Sequence, residues 1–115
     1  MVLTLLKGKI HNAVVTQADL NYQGSIAIDP SWLRDAGILP FEQVHVFNVS
    51  NGHRFVTYAI EGEAGTGMIC VNGAAARLAM TGDRVIIVAY AQMDEAEARS
   101  FRPKLLIMDS QGRPT

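Results

Sequence analysis

The sequence predicts a mainly β protein, a closed β-barrel with short capping helices. Short apolar runs recur at close spacing with turn chemistry between them, the rhythm of many short strands rather than of long amphipathic helices. The few helical patterns are brief and carry clear start and stop signals. With 115 residues, 49% of them hydrophobic, the chain can bury one core and is too short for two ordinary domains. A single domain spanning 1–115 is therefore expected, and closure would spare so small a sheet its exposed edges.

Strands are expected at Leu5 to Val15, Ser25 to Ile28, Val44 to Val49, Arg54 to Ile60, Met68 to Asn72, Val85 to Ala91 and Lys104 to Asp109. Between the third and fourth of these, "NVSNGHRF" offers Asn51-Gly52 for a type I′ hairpin with positive φ at both central residues. In "DPSWLRDAG", Asp29 can cap a helix, Pro30 suits its first position and Gly37 its C-terminal stop, with Trp32 and Leu33 docking it on the barrel. "NGAAARLAM" reads as a helical turn after the Met68 strand, with free backbone N–H groups at Asn72 and Gly73. "DEAEARS" reads as a brief polar helix.

Composition narrows the partners. Only 18% of residues are charged and the formal net charge is -1, so no basic field draws nucleic acid or an anionic membrane. The opening "MVLTLLKGKIH" has too short an apolar stretch and too early a charge for a signal peptide or membrane span. The one cysteine, Cys70, lies in the apolar run "MICV" and reads as a buried reduced thiol in the core. A cytoplasmic protein with a small polar ligand is expected. His45 and His53 show no metal-ligand spacing, and no metal is expected.

One stretch departs from the strand pattern. In "NYQGSIAID", Tyr22, Ile26 and Ile28 keep a two-residue alternation that Gly24-Ser25 interrupts. By itself a Gly-Ser pair is an ordinary turn or bulge. It also permits another chemistry. Glycine tolerates a strained backbone that brings the following hydroxyl onto the preceding carbonyl carbon. The peptide becomes an ester, elimination cuts the chain after Gly24, and residue 25 passes through dehydroalanine to a pyruvoyl group with loss of ammonia. Such a ketone does what a borrowed cofactor does elsewhere: an amino acid forms an imine with it, loses carbon dioxide, and leaves its electron pair in the conjugated carbonyl.

The blocks "KIHNAVVTQADLNYQGSIAID", "NGHRFVTYAI", "VNGAAARLAMTGDRVII" and "EAEARSFRP" together resemble the pyruvoyl-dependent aspartate 1-decarboxylase family, from about Leu5 to Asp109. The resemblance implies a six-stranded double-psi β-barrel, assembled as a homotetramer with active sites between subunits. It implies self-cleavage at Gly24-Ser25 into a short β chain and a longer α chain, and conversion of L-aspartate to β-alanine and carbon dioxide for pantothenate synthesis. A maturation factor is an admissible partner for the cleavage.

Carried over residue by residue, the resemblance makes Ser25 the source of the pyruvoyl group and Tyr58 the proton donor to the decarboxylated carbon. A phenol is a poor acid in water, but a general acid beside a developing carbanion needs placement above all. Thr57 and Asn72 would serve self-processing by donating to the tetrahedral oxygen, Thr57 also touching substrate. In a regular strand Thr57 and Tyr58 point to opposite faces, so an intersubunit arrangement is expected to bring both to one pocket. Backbone N–H groups of Gly73, Ala74 and Ala75 would hold a substrate carboxylate, with Lys9 and Arg54 supplying positive charge; the guanidinium fork of Arg54 is the better anchor for the carboxylate that stays. His11 and Tyr22 are supporting residues. Lys9 and Arg54 also fit solvated strand positions, and His11 a structural one.

The chain departs from the family at Asn12, where an Arg is common, at Asn21, where a His is common, and in "EAGTG", which lacks a common Arg. These bear on processing rate and subunit contacts. Two rivals remain: a small-molecule-binding barrel that never cleaves, and a hydrolase that uses a free amine on residue 25 as nucleophile. The first would need none of Ser25, Thr57, Tyr58, Asn72 and Arg54 together.

Overall fold

The computed structural model describes residues 1–115. Its strands are β1 (Val2–Val14), β2 (Gln17–Asp19), β3 (Ile26–Ile28), β4 (Gln43–Asn48), β5 (Arg54–Glu61), β6 (Ile69–Asn72), β7 (Arg84–Asp94) and β8 (Lys104–Ile107). Helix α1 (Pro30–Ala36) follows β3, helix α2 (Glu95–Ser100) follows β7, and a 3-10 turn at Gly73–Arg77 follows β6. All eight strands belong to one sheet, ordered β2-β6-β3-β5-β4-β7-β1-β8. Because β1 runs into β2 through Val15 and Thr16 alone, β2 at one end of that order is tied by a short stretch of chain to the strand next to the other end. The sheet is thus rolled, an architecture compatible with a β-barrel.

Pairing mixes directions. β1 with β7, β4 with β7, β4 with β5 and β3 with β6 are antiparallel, whereas β1 with β8, β2 with β6 and β3 with β5 are parallel. One row across the sheet joins Ile10, Ile87, Val46 and Phe55, of which the first three are fully buried. The neighbouring row joins Lys9, Val88, His45 and Val56 and faces outward, as strand alternation requires. Ile26, Ile28, Val44, Ala59, Ile69, Val71 and Val85 complete the interior with no exposed surface.

Helix α1 forms for the reasons its sequence gives. Asp29 accepts from the Ser31 backbone N–H at 2.9 Å and the Ser31 hydroxyl at 2.8 Å, Pro30 opens the helix, and Gly37 closes it at φ 69°. Trp32 and Leu33 are buried in the core cluster. The second Asp29 oxygen accepts from the Gly67 N–H at 2.9 Å, which ties the end of β3 to the β5–β6 loop. Burial pushes this carboxyl toward the neutral form, but the bonds from Gly67 and Ser31 outweigh it and hold its pKa below the ordinary value.

Several expectations are corrected. Eight strands are present where the sequence pattern predicted seven; β2 and β8, of three and four residues, are the outermost. β2 was not expected as a strand at all. The β4–β5 hairpin exists, but its loop spans 49–53 and only Gly52, at φ 80°, has positive φ, so the turn is not type I′. Asn51 instead accepts from the His53 N–H at 2.9 Å and donates to the Leu78 carbonyl at 3.1 Å, a side-chain turn that leaves its own backbone in the ordinary region. Cys70, by contrast, is a buried free thiol as expected, donating to Asn72 Oδ1 at 3.0 Å.

Candidate active site

Residues Gly24 and Ser25 lead into β3, and both have positive φ, 49° and 79°. For a serine this is strained backbone, worth about 1–3 kcal/mol and tolerated only where the surroundings enforce it. The enforcement is visible. Ile26, Ala27 and Ile28 are paired on both edges, with β5 on one side and β6 on the other, and the Ser25 carbonyl accepts from the Asn72 N–H at 2.9 Å. The Ser25 hydroxyl is buried and has no hydrogen-bond partner, although a buried polar group ordinarily finds one.

Neighbouring groups crowd the same bond. A methyl group on Gly24 would meet the Tyr58 hydroxyl at 2.7 Å, and one on Gly73 would meet the Gly24 nitrogen at 3.2 Å and the Tyr22 carbonyl at 3.3 Å. Both glycines therefore permit an approach that a Cβ would block. The bond between residues 24 and 25 borders an open cleft of about 330 Å³ lined by Gly24, Ser25, Thr57, Tyr58, Asn72 and Ala75, among others.

Thr57 and Tyr58 thus share one cleft within a single chain, without the second subunit that alternation led us to expect. The reason lies in the edges of β5. Residues 54–58 pair with β4 on one edge, while β3 reaches the other edge only from Ala59 onward. The cleft runs along the unpaired edge, where side chains of either face flank the gap; Phe55 and Val56 join its wall for the same reason. Phe55, Val56 and Leu78 were not anticipated as lining residues. A strand pattern shows which face a residue takes but not which edge is free.

The structure gathers Gly24, Ser25, Thr57, Tyr58, Asn72, Ala74 and Ala75 around the cleft, with Gly73 packed against Gly24. It does not bring Lys9, His11 or Arg54 there. Lys9 is three strands from Val56 along the row through Val88 and His45, about 14 Å at the usual strand spacing. His11, one residue pair further along β1, has a buried Nδ1 without a partner. Arg54 is exposed, and its guanidinium lies 4.6 Å from the centre of the Phe47 ring, a cation–π contact that keeps the charge on the outer face. Tyr22 is exposed over its side chain and faces a smaller cavity beside Asp19 and Cys70.

The comparisons with known proteins agree with this geometry. The family model described as aspartate decarboxylase matches residues 1–115. Similar curated proteins named aspartate 1-decarboxylase include that of Thermoanaerobacter pseudethanolicus, 56% identical over 96% of this chain and 94% of its own length. Those of Maricaulis maris, 55% identical over 98% of this chain and 93% of the relative, and Leptospira biflexa, 52% identical over 99% and 98%, are others. With a family model covering the whole chain and relatives matched almost end to end, the chain belongs to the aspartate decarboxylase family.

Proposed function

We propose that this protein is an aspartate 1-decarboxylase that cleaves itself between Gly24 and Ser25 and converts L-aspartate to β-alanine and carbon dioxide. The observation that carries the reading is Ser25 itself: strained at φ 79°, its hydroxyl buried and unpartnered, beside a glycine that Tyr58 and Gly73 hold closely. A hydroxyl without a hydrogen-bond partner is free to attack, and the strain is relieved when the peptide it belongs to breaks.

In the cleavage, Ser25 Oγ bonds to the Gly24 carbonyl carbon and the Ser25 nitrogen leaves as an amine, giving an ester. Loss of the Ser25 α-proton expels the Gly24 carboxylate, and water then releases ammonia from residue 25. Asn72 and Thr57, which line the cleft beside Ser25, donate to the oxygen that gains charge in the first step, the electrostatic contribution that dominates acyl transfer. The resulting pyruvoyl group supplies a ketone that takes up the electron pair left by carbon dioxide. Tyr58 delivers the proton to the substrate carbon, and the N–H groups of Gly73, Ala74 and Ala75 hold a substrate carboxylate.

The remaining charges fit a site shared between subunits. Lys9 and Arg54 lie on the outward face, alongside Val56, Tyr58, Tyr90, Leu105 and Ile107, each 39–54% exposed. An apolar face of this kind, interrupted by unpaired cations, is suited to a second copy, and a homotetramer would bring one subunit's cations to another's Ser25. The three parallel pairings within a largely antiparallel sheet support a double-psi barrel folded as one domain. The reduced Cys70 fits a cytoplasmic enzyme serving pantothenate synthesis.

Intact-mass spectrometry with and without borohydride in the presence of aspartate tests the reading. Two fragments meeting at Gly24 and residue 25, the larger fixing substrate on reduction, are expected. A chain that stays whole after long incubation, or a free amine at residue 25, would overturn it.

A further inference from the structure

The Asn72 amide stands between two cavities. On one side is the cleft of Gly24 and Ser25; on the other is a cavity of about 180 Å³ bordered by Cys70, Asp19, Tyr22 and Met68. Asn72 is 2% exposed, so neither end of its side-chain amide is oriented by bulk water. An amide has one accepting and one donating end, and which end meets the scissile bond decides whether Asn72 helps or hinders. A carbonyl oxygen there would repel the charge that develops on Gly24; an NH2 group would stabilise it.

Cys70 makes that choice. It lies two residues before Asn72 on β6, hence on the same face, and its thiol donates to Asn72 Oδ1 at 3.0 Å. The opposite orientation would set the NH2 group against sulfur, a weak acceptor. We infer that Cys70 is a positioning residue for self-cleavage, its S–H holding the Asn72 oxygen so that the Asn72 NH2 group remains for the Gly24-Ser25 bond. Burial, aided by the nearby Asp19 charge, pushes the Cys70 thiol above its ordinary pKa, which keeps the proton the donor role requires. The chain needs no reactive thiol for this, only a small buried donor.

The inference rests on the self-cleavage reading, and the experiment separates the two. Uncleaved precursor of the unsubstituted chain, Cys70→Ala, Cys70→Val and Cys70→Ser is followed by intact mass over time. Loss of one orienting hydrogen bond is expected to slow cleavage about five- to tenfold in both Cys70→Ala and Cys70→Val. Cys70→Ser, which keeps a donor, is expected to stay within about twofold of the unsubstituted rate. Cys70→Val fills the space without a donor, so a difference between it and Cys70→Ser reports the hydrogen bond rather than a cavity. In an Asn72→Ala background, Cys70→Ala is expected to cause no further slowing, because its route is through Asn72. Equal rates for Cys70→Val and Cys70→Ser, or the same slowing with Asn72 already removed, would overturn the inference while leaving self-cleavage standing. If the unsubstituted chain does not cleave, both fall.

Discussion

Replacing Gly73 by alanine puts the close approach at the cleavage bond to the test. Gly73 has φ 64°, and an added methyl group would lie 3.2 Å from the Gly24 nitrogen and 3.3 Å from both the Gly24 Cα and the Tyr22 carbonyl oxygen. All three neighbours are backbone, so no flexible side chain can swing aside. The left-handed conformation costs an L-residue about 1 kcal/mol, and displacing packed backbone adds about as much again. A loss of about 2 kcal/mol, or about 8 °C in melting temperature for a chain of this size, follows. The push falls on Gly24, so the Ser25 hydroxyl and the Gly24 carbonyl carbon lose alignment, and cleavage slows by about tenfold or more. The matched control is Gly65→Ala: φ is 77°, but nothing lies within 4 Å of the added carbon. It carries the same backbone strain, about 1 kcal/mol, and leaves the cleavage rate unchanged. Melting curves and a mass-spectrometric time course on the two proteins give the answer. If Gly73→Ala cleaves as fast as Gly65→Ala, the packing of Gly73 on Gly24 has no part in processing.

Tyr58→Phe is expected to cleave yet form β-alanine at least about a hundredfold more slowly, the usual loss of a general acid; an unchanged kcat would remove Tyr58 from the protonation step. Asp29→Asn should flatten the acid limb of stability. The folded-state pKa of Asp29 lies below its unfolded value of 3.8, so its contribution is complete above that pH and is lost as pH falls through the lower folded value; urea midpoints measured from pH 6 to pH 2.5 that fall equally in both proteins would refute this. Co-assembly of a Lys9→Ala chain with a Tyr58→Phe chain should restore part of the activity that each lacks alone, because a shared site can draw Lys9 from one copy and Tyr58 from another. Activity no higher than that of the separate variants would refute a site shared between Lys9 of one copy and Tyr58 of another.

What could be read from the sequence was local. Asp29, Pro30 and Gly37 fix α1 through bonds within the helix and its ends, so a nine-residue stretch carries the whole signal. The strand from Arg54 to Ile60, found as β5 (Arg54–Glu61), was equally plain. β2 escaped notice because "QAD" has neither alternation nor a β-branched residue; it becomes a strand only because β6 lies beside it. The hairpin loop differed because the Asn51 side chain is occupied by His53 and Leu78, the latter 27 residues away. The sharing of a cleft by Thr57 and Tyr58, and the distance of Lys9 from it, depend on strand order and on where β3 begins to pair. Those are properties of non-local pairing, which no window of sequence contains.

The proposed cleavage leaves the fold intact because of where the cut falls. Residues 1–24 include β1, which lies between β7 and β8 and contributes Ile10 and Ala13 to the core, and β2, which pairs with β6. The shorter fragment cannot depart without exposing that core, so it stays as a non-covalent part of the sheet. Beyond the cut, β3 remains paired with β5 and β6 and anchored by Asp29 to Gly67. The two ends at the cut are thus held from opposite sides by structure that does not depend on the bond between them. Downstream, strain at Ser25 has little outlet, because Ile26, Ala27 and Ile28 are buried and paired on both edges; upstream, Leu20 to Gln23 are exposed and β2 is the nearest paired segment. The proposed break would free the backbone at residue 25 at no cost to the core, so the strain it draws on is one the folded sheet already tolerates.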